Sequence, residues 1–337
     1  LDQKSKYCYP PIYRGIVTMD LTQIKIKKPF SSFKWRWMEV TPVESFNRPD
    51  LIIGITRAMM NCEGLPASDP QFLSELEIIQ SDLLDASNLN LVPEDPSRNV
   101  IRRQGRYWRG MGLLAQSRGR SIRLTDLGRK LATGQITNDD FAAHMVLRHS
   151  LPNDLIDRSE IIELWANSSI KIYPLKLILT TLSKLRELNH KEGYITPKEL
   201  YDVIIPLSII DAKISSSDYA LGIMQYRAEP TSAEHLPDCV EAANDKRMAR
   251  EHLLFLLNYG LLDTQKTNIN SSVHSERFFV NEAGLLFTDS EIKLSTSETF
   301  TSNEVNPIEN GLNQIIDLGA VRTKRIAEVT LRPNQSK

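Results

Sequence analysis

Two Gly-Leu-Leu steps, Gly112-Leu113-Leu114 and Gly260-Leu261-Leu262, sit in the same surroundings and constrain the fold more than any other feature of this chain. A glycine just past a helical stretch takes the left-handed conformation that ends a helix, and an apolar pair after it starts an extended run. The first step follows a helix predicted over Asn99–Met111. It leads through polar Gln116–Ser121 into the strand-like Ile122-Arg123-Leu124. The second follows a helix predicted over Asp245–Tyr259 and leads through a polar loop ending near Ser275 into the strand Arg277–Val280. Each region therefore reads as helix, glycine stop, polar loop and returning strand.

Behind the first returning strand, Thr125 or Asp126 can cap another helix, with Leu127 and Leu131 inward and Gly134 at its end. Helix, hairpin and strand running into a capped helix are what a winged helix looks like in sequence. The expected fold class is mainly α with small β-hairpins, α+β, built as tandem winged-helix-like subdomains. Other starts are as clear. Pro49 opens a helix to Met60 with Leu51, Ile52, Ile55 and Met59 apolar, and Asp69 caps one opened by Pro70. Leu175, Leu179, Leu182 and Leu185 share one face of a helix after Tyr173-Pro174, and Thr196, Pro197 and Glu199 form a capping box. The opening to about Lys27, with its alternating run Gln23–Lys27, reads as an arm or an edge strand.

At 337 residues the chain exceeds one ordinary domain, about one domain per 150 residues being the usual scale. The expected division is an N-terminal arm and DNA-contacting segment at 1–62, a basic winged-helix-like subdomain at 63–135, a helical or winged-helix-like subdomain at 136–230 and a third winged-helix-like subdomain at 231–294. A polar linker and short C-terminal segment follow at 295–337.

Charge is placed unevenly in a chain whose net charge is -1. Between Arg98 and Lys130 there are ten Arg or Lys and one acid, Asp126, whereas Glu63–Asp95 carries eight acids and neither Lys nor Arg. A concentrated basic field suits a polyanion, because each group that neutralises a phosphate releases a condensed counterion; a solvated helical face is the plainer outcome of the same charges. Trp35, Trp37, Tyr107 and Trp108, interleaved with basic residues, have two fates, stacking on bases or packing a core, and for tryptophan the core is the commoner.

Other chemistry is thin. Three cysteines, Cys8, Cys62 and Cys239, have no short pairing, so a disulfide framework is not expected and a reducing, cytoplasmic setting is. No apolar run approaches a membrane span, so no membrane partner is expected. The six histidines form no metal motif, and neither a P-loop nor a dinucleotide glycine motif occurs. A metal-dependent nuclease needs an acid followed by an acid and a Lys two residues apart. Two such matches exist, Asp211 with Lys213 and Glu291 with Lys293, with Asp202, Asp263 or Asp289 upstream; matches this short arise often by chance among 42 acids.

Taken in order, "W…TP…NRPD", "GLL…IRLTDLGRKLA", "YPLKLILTTLSKL…GYITPKELYDVI", "YALGIMQYR" and "AREHLLFLLNYGLL…RFFVN" resemble the N-terminal DNA-recognition region of AlwI-like type IIS restriction and nicking endonucleases. The resemblance spans Trp35 to Asn281. It implies winged-helix-type subdomains that read DNA, joined to a separate Mg2+-dependent nuclease domain of the PD-(D/E)xK type, and a place in a restriction system and antiviral defence. This chain departs from that pattern by stopping where the nuclease domain would begin, so the resemblance implies a separate nuclease domain or subunit as partner and no cofactor in this chain.

Double-stranded DNA is thus the expected partner, with Lys34, Arg36, Arg98, Arg102, Arg103, Arg106, Arg109, Arg118, Arg120 and Arg123 as contact candidates. Arginine matches guanine edges and phosphates alike. A self-contained Mg2+-dependent endonuclease using Asp211/Lys213 or Glu291/Lys293 is one alternative; a winged-helix assembly or regulatory subunit of a defence complex is the other.

Overall fold

The structure, a computed structural model, describes residues 19–38, 47–83, 91, 100–115, 121–210, 214–265 and 275–288, with the side chains of 83 and 100–104 excepted. It is mainly helical with one small antiparallel sheet, the α+β class expected.

Helix α1 (Pro49–Asn61) starts at its proline and buries Leu51, Ile52, Ile55 and Met59, the four residues read as its apolar side. Helix α2 (Pro70–Leu83) begins behind Asp69, whose carboxylate accepts from the Gln71 amide at 2.9 Å. Between them the chain at Pro66 bridges Ser121. Helix α3 (Val100–Gly110) gives way at Gly112, φ 75°, and Leu114 then bridges Leu124. The returning arm, 121–124, therefore lies between Pro66 and Leu114. Thr125 caps α4 (Asp126–Thr133), which Gly134 ends at φ 75°.

The C-terminal half repeats this connectivity. Helix α7 (Pro174–Leu188) again starts at a proline and buries Leu175, Leu179, Leu182 and Leu185. Strand β1 (Tyr194–Ile195) stands where Pro66 stands in the first copy. The capping box at Thr196 opens α8 (Pro197–Glu199), which continues through a π turn, Leu200–Ile204, into α9 (Ile205–Leu207). Helix α10 (Ser216–Ala228) is an addition to this copy. Helix α11 (Ala243–Asn258) ends at Gly260, φ 69°, and β2 (Leu262–Gln265) returns as β3 (Arg277–Val280). The sheet order is β1-β3-β2, the returning strand again in the middle. Asn281 then caps α12 (Glu282–Leu285).

The copies agree atom by atom at one place. Leu113 N donates to Trp108 O at 2.9 Å and Leu261 N to Leu256 O at 2.8 Å, each five residues back across the glycine turn. The side chains of Thr125 and Asn281 each accept from the amide three residues on, Gly128 and Gly284, both at 3.0 Å. A Cβ on Gly128 would lie 2.2 Å from Leu113 O, and one on Gly284 2.3 Å from Leu261 O. Each capped helix thus runs hard against the backbone of its Gly-Leu-Leu step, and only glycine permits the approach.

Helices α5 (Asn138–Arg148) and α6 (Ser159–Asn167) connect the copies. The N-terminal segment crosses both. Leu21 is held on α10 and its neighbours by Gln225 and His235, Phe33 packs on Trp165 of α6, and Trp35 Nε1 donates to Ser208 Oγ at 3.1 Å. One continuous core joins this segment to both copies.

The sheet spans the boundary expected at 230/231, because β1 lies before it and pairs with β3 beyond it. Helix α1, grouped with the arm by a boundary at 62/63, packs on α2 and α4. Of the arm or edge strand expected up to Lys27, the edge strand is corrected. Leu21–Gln23 form a 3-10 turn, and Ile24 and Ile26 turn inward between exposed Lys25 and Lys27 without a pairing strand among the described residues. The alternation was real, but it reflects an extended chain lying on a core, with no ladder beside it. The segment 295–337 lies outside the described residues.

Candidate nucleic-acid interface

Residues 33–37 lie outside any helix or strand and alternate in burial as extended chain does, with Phe33, Trp35 and Trp37 buried and Lys34 and Arg36 half-buried between them. In extended chain successive side chains point to opposite sides, so the aromatic residues face the core and the two basic residues face away from it. Lys34 Nζ lies 2.6 Å from Asp245 in the first turn of α11. Four residues on, Met38 lies against Gly110 at the end of α3, where a Cβ on the glycine would come within 2.9 Å of Met38 Cβ. The segment therefore spans from the start of α11 to the end of α3. The aromatic residues read as stacking or core are core: Trp35, Trp37, Tyr107 and Trp108 are all buried.

Helix α3 carries Arg102, Arg103, Arg106 and Arg109. The side chains of Arg102 and Arg103 lie outside the described residues, and Arg109 is half-buried. Arg106 reaches Asp157 at 3.3 Å, and that carboxylate also accepts the Asn153 amide at 2.8 Å, so part of this arginine's charge is committed inside the fold. Arg123, on the returning arm of the hairpin, is exposed. The arms meet through Ala115 N donating to Arg123 O at 2.8 Å. Arg118 and Arg120 belong to the connection between them and, like Arg98, lie outside the described residues.

Folding alters the charge that the sequence displayed. Glu63, first of the acidic run, folds onto the basic hairpin, where its carboxylate accepts from Arg129 at 2.6 and 3.2 Å and from the Leu124 amide at 3.1 Å. The Arg129 bond, then the Leu124 amide, hold the Glu63 carboxyl below its usual range against the opposing pull of desolvation. Lys130 pairs with Asp126 at 2.8 Å. Among the described residues of the run, Arg106, Arg129 and Lys130 thus have carboxylate partners, and Glu63 of the acidic run joins the basic one in space.

The second copy supplies basic residues absent from the sequence-derived set. Lys246, half-buried, and Arg247, exposed, occupy the first turns of α11, and Lys246 O accepts the Tyr201 hydroxyl at 3.0 Å. Arg250 pairs with the buried Glu276 of the β2–β3 hairpin at 3.0 Å, and Thr264 Oγ1 donates to the same carboxylate at 3.1 Å. The signal was present in the sequence: counting back from Gly260 as from Gly112 places Lys246 where Arg98 stands and Arg250 where Arg102 stands.

The acid-x-Lys candidates Asp211/Lys213 and Glu291/Lys293 lie outside the described residues. Of their upstream acids, Asp202 is bound by Lys198 and accepts the Tyr226 hydroxyl at 2.6 Å, while Asp263 lies in β2 beside Asn281. Among the described residues no group of three or more His, Cys, Asp or Glu could hold a metal ion. No described helix is long and apolar enough to cross a membrane.

No family model matches the chain, and no curated protein does. Among solved structures it is similar to the BpuJ1 endonuclease binding domain, determined in complex with pyrene- and phenanthrene-modified DNA. The TM-score is 0.55 at 12% sequence identity, and the match covers 86% of this chain and 96% of that one. At that identity the likeness is one of fold.

Proposed function

We propose that this chain is the sequence-reading part of a site-specific, type IIS-like endonuclease, and that it binds double-stranded DNA through its two helix–hairpin copies. The observation that carries this reading is the likeness of fold, over most of the chain, to an endonuclease binding domain determined on DNA. The repeated order of helix, returning strand and hairpin supports reading both copies as winged helices. In such folds the second helix enters the major groove with its N-terminal residues at the base edges. That role falls to the N-terminal turns of α3 and α11, since the later turns of both are buried.

On this reading Arg98, Arg102, Arg103, Arg118, Arg120 and Arg123 approach DNA from the first copy, Lys246 and Arg247 from the second, and Lys34 and Arg36 from the crossing segment. Arg106 and Arg109, deeper on α3, complete the basic surface. Cleavage belongs to a separate domain or subunit that would hold Mg2+, within a cytoplasmic defence system against foreign DNA.

The test is selection of the chain on a pool of random-sequence duplexes near physiological salt, with and without Mg2+, followed by sequencing and inspection for breaks. A short asymmetric motif on intact DNA is expected, and Arg118→Glu with Arg120→Glu should abolish its recovery. Breaks at a fixed offset would return catalysis to this chain through Asp211 or Glu291. Absence of salt-sensitive binding would overturn the DNA reading in favour of an assembly subunit.

A further inference from the structure

We propose that Asn47 is a positioning residue for DNA reading: through a buried Tyr107–Asn47–Glu251 relay it fixes the two helix–hairpin copies at one spacing, so that both must engage DNA together. This rests on the DNA reading above. The Asn47 amide group donates to the Glu251 carboxylate and, at 3.5 Å, to the Glu251 carbonyl oxygen, while its own oxygen accepts the Tyr107 hydroxyl. Tyr107 belongs to α3 and Glu251 to α11, the corresponding helices of the two copies. All three residues are buried, at 3%, 0% and 1% exposure.

The relay lies beside an aromatic joint with the same two-sided layout. Tyr107 stands five residues before Gly112 and Phe255 five residues before Gly260. Both lie against the indole of Trp37, with ring centroids at 6.5 and 5.5 Å. His252 and His149 complete the ring around that indole at 4.8 and 5.1 Å. Apolar packing alone is tolerant of sliding and rotation. A chain of buried hydrogen bonds that reaches from one helix to the other is not, because a shift breaks a bond between groups that water cannot reach. Asn47 touches both helices and lies two residues before α1, so it also ties the start of the first copy to them.

The experiment uses the full chain. Wild type and Asn47→Ala each go through the duplex selection, and affinities are then measured on the recovered sequence with one base pair inserted at each step along it. Two linked reading units gain about 100-fold or more in affinity from simultaneous engagement and lose it when geometry forbids this. Wild type is therefore expected to lose about 100-fold on the worst insertion, and Asn47→Ala under about 10-fold while recovering the motif at more than one spacing. If Asn47→Ala is unfolded at the assay temperature, Tyr107→Phe, which removes one oxygen, takes its place and should loosen spacing. Glu251→Gln, which keeps an acceptor for the Asn47 amide, should retain the wild-type spacing. A folded variant with lowered Tm but the wild-type insertion penalty would overturn the positioning role and leave the DNA reading standing. Recovery of no motif by wild type would overturn both.

Discussion

Replacing Gly128 by alanine puts the repeated close approach to a direct test. The added Cβ would lie 2.2 Å from Leu113 O, 3.1 Å from Leu113 C and 3.3 Å from Leu124 Cδ2. The first two belong to backbone, so α4 and the Gly-Leu-Leu step must part by about 1 Å to reach ordinary contact. Leu113 O also accepts the Thr125 amide at 3.1 Å, and Thr125 Oγ1 donates to Gly112 O; parting strains both bonds. Overpacking of this kind costs about 1–3 kcal/mol, and weakened hydrogen bonds add about 1 kcal/mol. Alanine's better helix propensity returns up to about 1 kcal/mol. The net expectation is a loss of about 2 kcal/mol, read from urea unfolding with the slope unchanged. Gly284→Ala should cost at least as much, since its Cβ would lie 2.3 Å from Leu261 O and 2.8 Å from Val280 Cγ2. Gly134→Ala is the control: at φ 75° with nothing within 4 Å, it meets only backbone strain of about 1 kcal/mol. If Gly128→Ala and Gly284→Ala cost no more than Gly134→Ala, the shared contact between capped helix and glycine turn is not what holds either copy together.

Thr125→Ala should lose about 1 kcal/mol in the same unfolding assay, because the Gly128 amide loses its capping oxygen. Acidification should destabilise the protein between pH 6.5 and about 4. Burial holds His252 and His144 down to about 4, and burial together with neighbouring His252 holds His149 well below its usual value. The unfolded chain therefore takes up these protons first; the contribution is complete above pH 6.5, is lost on the way down to about 4, and for His252 alone amounts to about 3 kcal/mol. Urea unfolding at pH 7, 5.5 and 4.5 measures it, and a flat profile would contradict neutral buried imidazoles. Arg227→Met should cost about 3 kcal/mol, because it leaves the buried Glu199 carboxylate without its guanidinium and removes the cation stacked 3.9 Å over Tyr194; adding Glu199→Gln should recover part of that loss. On the proposed function, Lys246→Ala with Arg247→Ala should flatten the slope of log affinity against log salt by up to about 2, measured by titration on the selected duplex.

Most helices were legible in the sequence because local chemistry marks their ends. Pro49, Pro70, Pro174 and Pro197 open four helices, Thr125 and Thr196 cap two, and Gly112, Gly134 and Gly260 close three. Helices α6 and α10 escaped notice. The first has no side-chain cap, and the second lacks a one-sided apolar stripe because other elements cover it: α7 packs along it, and Leu21 and Leu207 close on Gly222. The pairing that crosses 230/231 left no local trace for a related reason. Strand β1 is two residues long and meaningful only through its pairing with Phe278 and Phe279, more than eighty residues away; no local pattern records such a partner. The buried relay was illegible as well. Asn47 reads as a turn residue before a proline, and nothing near it in sequence announces Tyr107 or Glu251.

The same limit applies to the charge pattern, and it changes how the basic surface should be weighed. Counted along the chain, the first copy dominates with ten basic residues between Arg98 and Lys130. In the fold, Arg129 holds Glu63 to the hairpin base, Lys130 answers Asp126 within α4, and Arg106 ties α3 to Asp157. The two arginines join elements of the protein and the lysine binds within its own helix, and a phosphate would have to compete with a carboxylate for each. The second copy has fewer basic residues but treats them in the same way: Arg250 is spent on Glu276, and Lys246 and Arg247 lie in the first turns of α11. In both copies a basic residue nearer the glycine turn, Arg106 or Arg250, is bound to a carboxylate of the fold. If DNA is read as proposed, the two copies should contribute more evenly than their charge counts indicate. Reversing Lys246 and Arg247 to glutamate should then weaken binding to the selected duplex as severely as reversing Arg118 and Arg120, and a loss confined to the first pair of arginines would show that the second copy serves only as scaffold.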